Sequence, residues 1–145
     1  MTLKLNFFAK SDRGLIRDNN EDSGYAGPHL LILADGMGGH AAGEVASELM
    51  VNHLEILDQD PGQEDTKALL EAAAEQANEA ISDHVKAHPE TEGMGTTLST
   101  MLFNGTDFGV CHVGDSRGYL LRDGKLEQIT KDDTYVQSLV DKGEL

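Results

Sequence analysis

Residues 96–113 read TTLSTMLFNGTDFGVCHV, and this stretch decides the fold class. Apolar and polar residues alternate on both sides of Asn104-Gly105, a dipeptide suited to the tight turn between antiparallel strands. Residues 96–103 and 106–113 are therefore expected to form a hairpin. A second pair, 117–122 and 125–129, flanks Asp123-Gly124. Upstream the period lengthens from two residues to that of a helix. Val45, Ala46, Leu49, Met50, His53, Leu54 and Leu57 form one apolar stripe on a helix over about 42–57. Leu69, Leu70, Ala73, Ala77, Ala80, Ile81, His84 and Val85 do the same over about 66–87, where Pro89 stops the helix. The alanines suggest close packing against a helix or sheet.

Working outward, Leu3, Leu5, Phe7 and Ala9 alternate with polar residues and predict a strand with one buried face. A short strand over 23–26 precedes a turn at Gly27-Pro28. The apolar run 29–34 predicts a strand buried on both faces. Asp35-Gly36-Met37-Gly38-Gly39-His40 is glycine-rich and is expected to be a loop. At the far end Val136, Leu139 and Val140 suggest a short helix over about 134–142. Strands, two helices, then hairpins indicate one domain of an α+β fold, with helices packed on antiparallel sheets.

The 145 residues carry 11 basic and 26 acidic side chains, a formal charge of −15. Nucleic-acid binding needs a basic stripe, and an anionic membrane attracts basic segments, so both partners are excluded for this segment. The acids either keep the chain soluble or cluster around cations. A single cysteine, Cys111, excludes an internal disulfide and sits in an apolar run, as a buried structural thiol does. No apolar stretch reaches the ~20 residues that cross a bilayer. Lys4, Asn6 and Lys10 interrupt the N-terminus, so no signal peptide is expected, and the expected location is cytoplasmic.

Three acidic motifs fall at strand ends or loops: Arg17-Asp18-Asn19-Asn20-Glu21-Asp22, Asp35-Gly36, and Gly114-Asp115-Ser116-Arg117. Asp35 follows a core strand directly, and a carboxylate there is costly unless it is paired or bound to a metal. Oxygen donors suit Mg²⁺ or Mn²⁺, and no Cys/His set has zinc spacing. A helix cap is the competing role, but Asp35 lies several residues too early. Gly36-x-Gly38-x-x-Ala41 also matches a dinucleotide fingerprint, which would require a following parallel strand. Arg17 either pairs with neighbouring acids or forks onto phosphate oxygens, and spacing alone does not choose. His40 either donates a proton to a leaving group or is simply solvated. His53 and His84 lie on the apolar sides of their helices as core or boundary residues. His112 receives no role.

Four motifs in order, Arg17-x-x-Asn20-Glu21-Asp22, Ala34-Asp35-Gly36-Met37-Gly38-Gly39-His40, Gly93-Met94-Gly95-Thr96-Thr97 and His112-Val113-Gly114-Asp115-Ser116-Arg117, resemble the PPM family of protein phosphatases. The wording is closest to that of actinobacterial members, which oppose Ser/Thr kinases. The resemblance implies a sandwich of two antiparallel sheets flanked by helices. It implies two Mn²⁺ or Mg²⁺ ions that activate a water to attack phosphorus, with a third, weaker ion. Asp35 would bridge the two ions, the Gly36 carbonyl would bind one, and Glu21 and Asp22 would hold bound waters. Asp115 would take the third ion. Arg17 would bind the substrate phosphate. His40 would donate the proton, at a spacing from Asp35-Gly36 that departs from eukaryotic members. Phosphorylated proteins, Ser/Thr kinases among them, would be the substrates. The family's Ser-Asp-Gly and Asp-Asn metal motifs do not occur after residue 123. Residues 1–145 are therefore expected to be the N-terminal part of one catalytic domain, its C-terminal part missing and its activity alone weak or nil. A metal-binding pseudophosphatase that holds phosphoproteins is the alternative.

Overall fold

The computed structural model describes residues 4–10, 15, 20–38, 42–114, 117 and 119–130, together with the backbone of 133–140. Its strands are β1 (Asp22–Ala26), β2 (Leu30–Met37), β3 (Gly95–Thr96), β4 (Leu98–Phe103), β5 (Asp107–Gly114), β6 (Tyr119–Arg122), β7 (Lys125–Gln128) and β8 (Asp133–Val140). Two helices, α1 (Ala42–Leu54) and α2 (Thr66–Ala87), lie between β2 and β3. The main sheet runs β1-β2-β4-β5-β8 with β3 also on β2, and β6 pairs with β7 in a second, two-stranded sheet. Every described pairing is antiparallel. A dinucleotide fold needs a parallel strand after its glycine loop, so that reading fails here.

Both helices form where the periodicity places them. Ala42, Ala46, Met50 and Leu54 recur every fourth residue and bury one stripe of α1, which ends in a 3₁₀ turn over Glu55–Leu57. The Asp65 carboxylate caps α2 by accepting from Lys67 N–H (3.0 Å) and Ala68 N–H (3.4 Å). Leu70, Ala73, Ala77 and Ile81 bury its inner face. These stripes pack on Leu30, Ile32, Ala34, Leu98, Leu102 and Cys111 of the sheet to make the core. His53 and His84 stand half-buried at its boundary, with His53 Nδ1 2.8 Å from the Leu49 carbonyl.

Four expectations need correction. Residues 4–10 hold no strand, and Phe8 is 84% exposed. Alternation makes a strand only where a neighbour offers a ladder, and no described strand pairs there. β2 is buried on its helix-facing side alone, since Leu33 across from it is 41% exposed. It also runs through Asp35-Gly36-Met37 instead of opening into a loop at Asp35. β1 supplies the partner for Asp35, and β3 supplies partners for Gly36 and Met37. Finally, residues 133–140 form a strand on β5, not a helix. The free edge of β5 outweighs a helical spacing that rests on only a few apolar residues.

The turns follow their residues. Asp123 and Gly124 both have positive φ (52° and 78°), the geometry of a tight type I′ hairpin turn. Asn104-Gly105 does not make the two-residue turn. The Asn104 Oδ1 accepts from the N–H groups of Thr106 and Asp107, each at 3.0 Å. This widens the loop, so that Phe103 pairs with Phe108 and their rings stack 4.7 Å apart.

Candidate metal centre

Glu21-Asp22 and Asp35-Gly36, from the first two acidic motifs, meet where β1 begins and β2 ends. Asp22 stands directly opposite Asp35 in the ladder, so both side chains leave the same face of the sheet. Asp22 is exposed and Asp35 half-buried. Like charges facing each other across a strand pair repel unless a cation lies between them.

Glu21 is fixed from two sides. Its carbonyl accepts from Gly36 N–H (3.2 Å) and from the Ser47 hydroxyl (2.7 Å), which joins it to β2 and to α1. Ser47 is fully buried and also lies 2.9 Å from the Ser23 hydroxyl. Gly36 and Gly43 permit this approach. A Cβ on Gly36 would sit 1.8 Å from the Gly43 carbonyl oxygen, and a Cβ on Gly43 would sit 1.8 Å from Glu21 Oε2. The Glu21 carboxylate thus lies over the first turn of α1, where the partial positive charge of the helix end favours an anion.

Asp35 is held through its main chain. Thr97 N–H donates to the Asp35 carbonyl (2.9 Å), and Asp35 N–H donates to Thr97 Oγ1 (3.0 Å). Thr97 also abuts Gly114, which has φ +105° and has no room for a Cβ beside Thr97 Cγ2. His112 closes this end of β5. It is fully buried, its Nε2 lies 3.0 Å from the Gly114 carbonyl, and its Nδ1 lies 2.6 Å from the Ser99 hydroxyl. A carbonyl can only accept, so Nε2 carries a hydrogen.

Of the expected site residues, the structure sets Asp22 opposite Asp35 and ties the Glu21 carbonyl to Gly36 N–H. Arg17, His40 and Asp115 lie outside the described residues. Thr97, Ser47, Ser99 and His112 went unassigned in the sequence. Their only sequence signal is position, in or beside motifs whose acids draw the eye. Among the described residues no three His, Cys, Asp or Glu side chains converge as a metal cluster. The donors are nonetheless hard oxygens, which fit Mg²⁺ or Mn²⁺, ions that keep several waters. A cavity of about 570 Å³ lies on the sheet face away from the helices. Asp22 lines it, but Glu21, Asp35 and Gly36 do not, and its walls are mainly apolar.

A family model described as protein phosphatase 2C matches residues 5–138. The serine/threonine protein phosphatase PstP of Mycobacterium tuberculosis is 60% identical over all 145 residues, which make up 28% of that protein. The serine/threonine phosphatase stp of Listeria monocytogenes is 37% identical over 150 residues, 94% of this chain and 58% of the relative. The chain thus spans less than two thirds of the length of these curated relatives. A crystal structure of M. tuberculosis PstP superposes with TM-score 0.88 over 92% of this chain and 57% of that one. A second structure, of the PstP catalytic domain in complex with 2 manganese ions, superposes with TM-score 0.86 over 89% and 56%.

Proposed function

Because the chain belongs to the protein phosphatase 2C family, we propose that it is the N-terminal part of the single catalytic domain of a metal-dependent phosphoserine/phosphothreonine protein phosphatase. The observation that carries this reading is the Asp22–Asp35 pair, preceded by Glu21, whose carbonyl is tied to Gly36 and Ser47. Two divalent ions bound there would supply an acidified water and offset the charge of a phosphate.

The chain's own residues set the terms. Asp35 would help to hold both ions. Its half-burial weakens competition from bulk water. The Gly36 carbonyl and the Glu21 and Asp22 carboxylates complete the donor set or hold its waters. Arg17 orients the phosphate through its planar fork of N–H donors. His40 delivers a proton to the leaving hydroxyl. Asp115 would hold a third ion. The substrates are phosphorylated proteins, including Ser/Thr kinases, and the location is cytoplasmic. No helix among the described residues is long and apolar enough to cross a membrane.

The second reading is a metal-binding pseudophosphatase module that holds phosphoproteins without hydrolysing them. The test is Mn²⁺-dependent hydrolysis of p-nitrophenyl phosphate by this chain and by the chain extended to the end of its gene, each with Asp35→Ala. Activity in the extended protein, abolished by the substitution, supports the phosphatase. Bound metal without turnover in either leaves the binding module.

A further inference from the structure

We propose that Thr97 is a positioning residue for metal binding: its hydroxyl replaces a ladder carbonyl and thereby sets the direction in which Asp35 is presented. This rests on the reading of Asp35 as a metal donor. In a regular antiparallel pair, two opposed residues exchange N–H to carbonyl bonds. Thr97 makes one half of that exchange, its N–H donating to the Asp35 carbonyl at 2.9 Å. The other half is altered. Asp35 N–H donates at 3.0 Å to the Thr97 side-chain oxygen, not to a backbone carbonyl. The Thr97 carbonyl instead accepts from the Thr96 hydroxyl at 2.8 Å.

The departure from regular pairing is local. β4 pairs with β2 from Leu30 to Leu33, and β3 pairs with it at Gly36 and Met37. Thr97 occupies the gap between β3 and β4, across from Asp35. The register itself is unbroken, with Ser99 opposite Leu33 and Thr96 opposite Gly36, so the departure lies in the hydrogen bonding alone. Thr97 is itself buried at 6% exposure, so its Oγ1 is a fixed acceptor. Its Cγ2 packs against Gly114, the residue that leads into Asp115. One side chain therefore braces the Asp35 backbone and touches the approach to the third acidic motif.

The experiment uses the chain extended to the end of its gene and measures Mn²⁺ affinity by titration calorimetry, with melting in EDTA as a separate readout of the fold. Thr97→Val keeps the shape and removes the acceptor. It is expected to weaken Mn²⁺ binding roughly tenfold, as loss of an outer-shell partner does. Thr97→Ser restores the oxygen and is expected to bring affinity back to within about threefold of the parent. Thr96→Val tests the same device from its half-buried neighbour. Without the Thr96 hydroxyl, the Thr97 carbonyl can rejoin the ladder, and affinity is again expected to fall. If Thr97→Val does not fold, Thr96→Val decides, and unchanged affinity there overturns the proposal. Unchanged affinity in Thr97→Val, with binding abolished by Asp35→Asn, also overturns it while leaving Asp35 a donor. Unchanged binding in Asp35→Asn sinks the underlying metal reading instead.

Discussion

Gly36 and Gly43 set the tightest contact between β2 and α1. A methyl on Gly36 would overlap a backbone oxygen, which cannot swing aside as a side chain can. Gly36→Ala is therefore expected to cost about 1–3 kcal/mol in urea denaturation, the usual cost of overpacking. Gly24→Ala serves as the control, because its Cβ would meet only the Ile32 carbonyl at 3.4 Å, an ordinary contact. Equal losses in the two variants would mean that the contact is not what makes Gly36 necessary. Cys111 supplies a pH test. Burial, then the nearby Glu71 charge, raises its thiol from 9.0 to about 11. The folded state holds this proton longer than the unfolded one. The resulting stability is complete below pH 9 and is lost as pH rises toward 11. Melting curves across that window should fall more steeply for the parent than for Cys111→Ala, and parallel curves would contradict the assignment. At neutral pH the thiol should resist alkylation until the chain is unfolded.

Elements differ in how far the sequence discloses them. α2 was legible because Pro89 ends it and apolar residues, many of them alanine, fill its stripe. Asp123-Gly124 was legible because its turn needs two positive φ angles. The pairing of Asp22 with Asp35 was not, since residues 35–40 read as a loop. A glycine-bearing segment continues a strand only if neighbours bind it on both sides, and that is a tertiary fact. For the same reason the metal-binding acids could be named but the hydroxyls that brace them could not. β8 is the sharpest case. Its residues carry a weak helical spacing, and only the vacant edge of β5 makes them a strand. β8 meets β5 along its full length, from Asp107–Val140 to Gly114–Asp133. A chain ending at Thr130 would leave that edge bare, and bare edges recruit other chains. Such a chain is expected to melt lower and to associate as concentration rises, as measured by light scattering. A monomer of unchanged stability would show that β8 contributes nothing to the sheet.

At the scale of the whole molecule, 26 acids against 11 bases mean that the folded chain works against its own charge. Compaction brings like charges within a Debye length, about 10 Å at 0.1 M salt, so added salt should stabilise the fold whatever the ion. Raising NaCl from roughly 0.01 to 0.3 M is therefore expected to raise the melting temperature of the parent and of Asp35→Asn alike. Mn²⁺ should act differently. At fixed ionic strength a site-bound ion adds stability as the logarithm of its concentration over its dissociation constant, about 2.7 kcal/mol at a hundredfold excess. That increment should appear in the parent and vanish in Asp35→Asn, while the NaCl response survives in both. An equal Mn²⁺ rise in both would reduce the metal to a screening ion, and the facing carboxylates at Asp22 and Asp35 would then need another explanation. No Mn²⁺ rise in either, with the NaCl response intact, would mean that donors beyond these 145 residues are required before the pair can hold an ion.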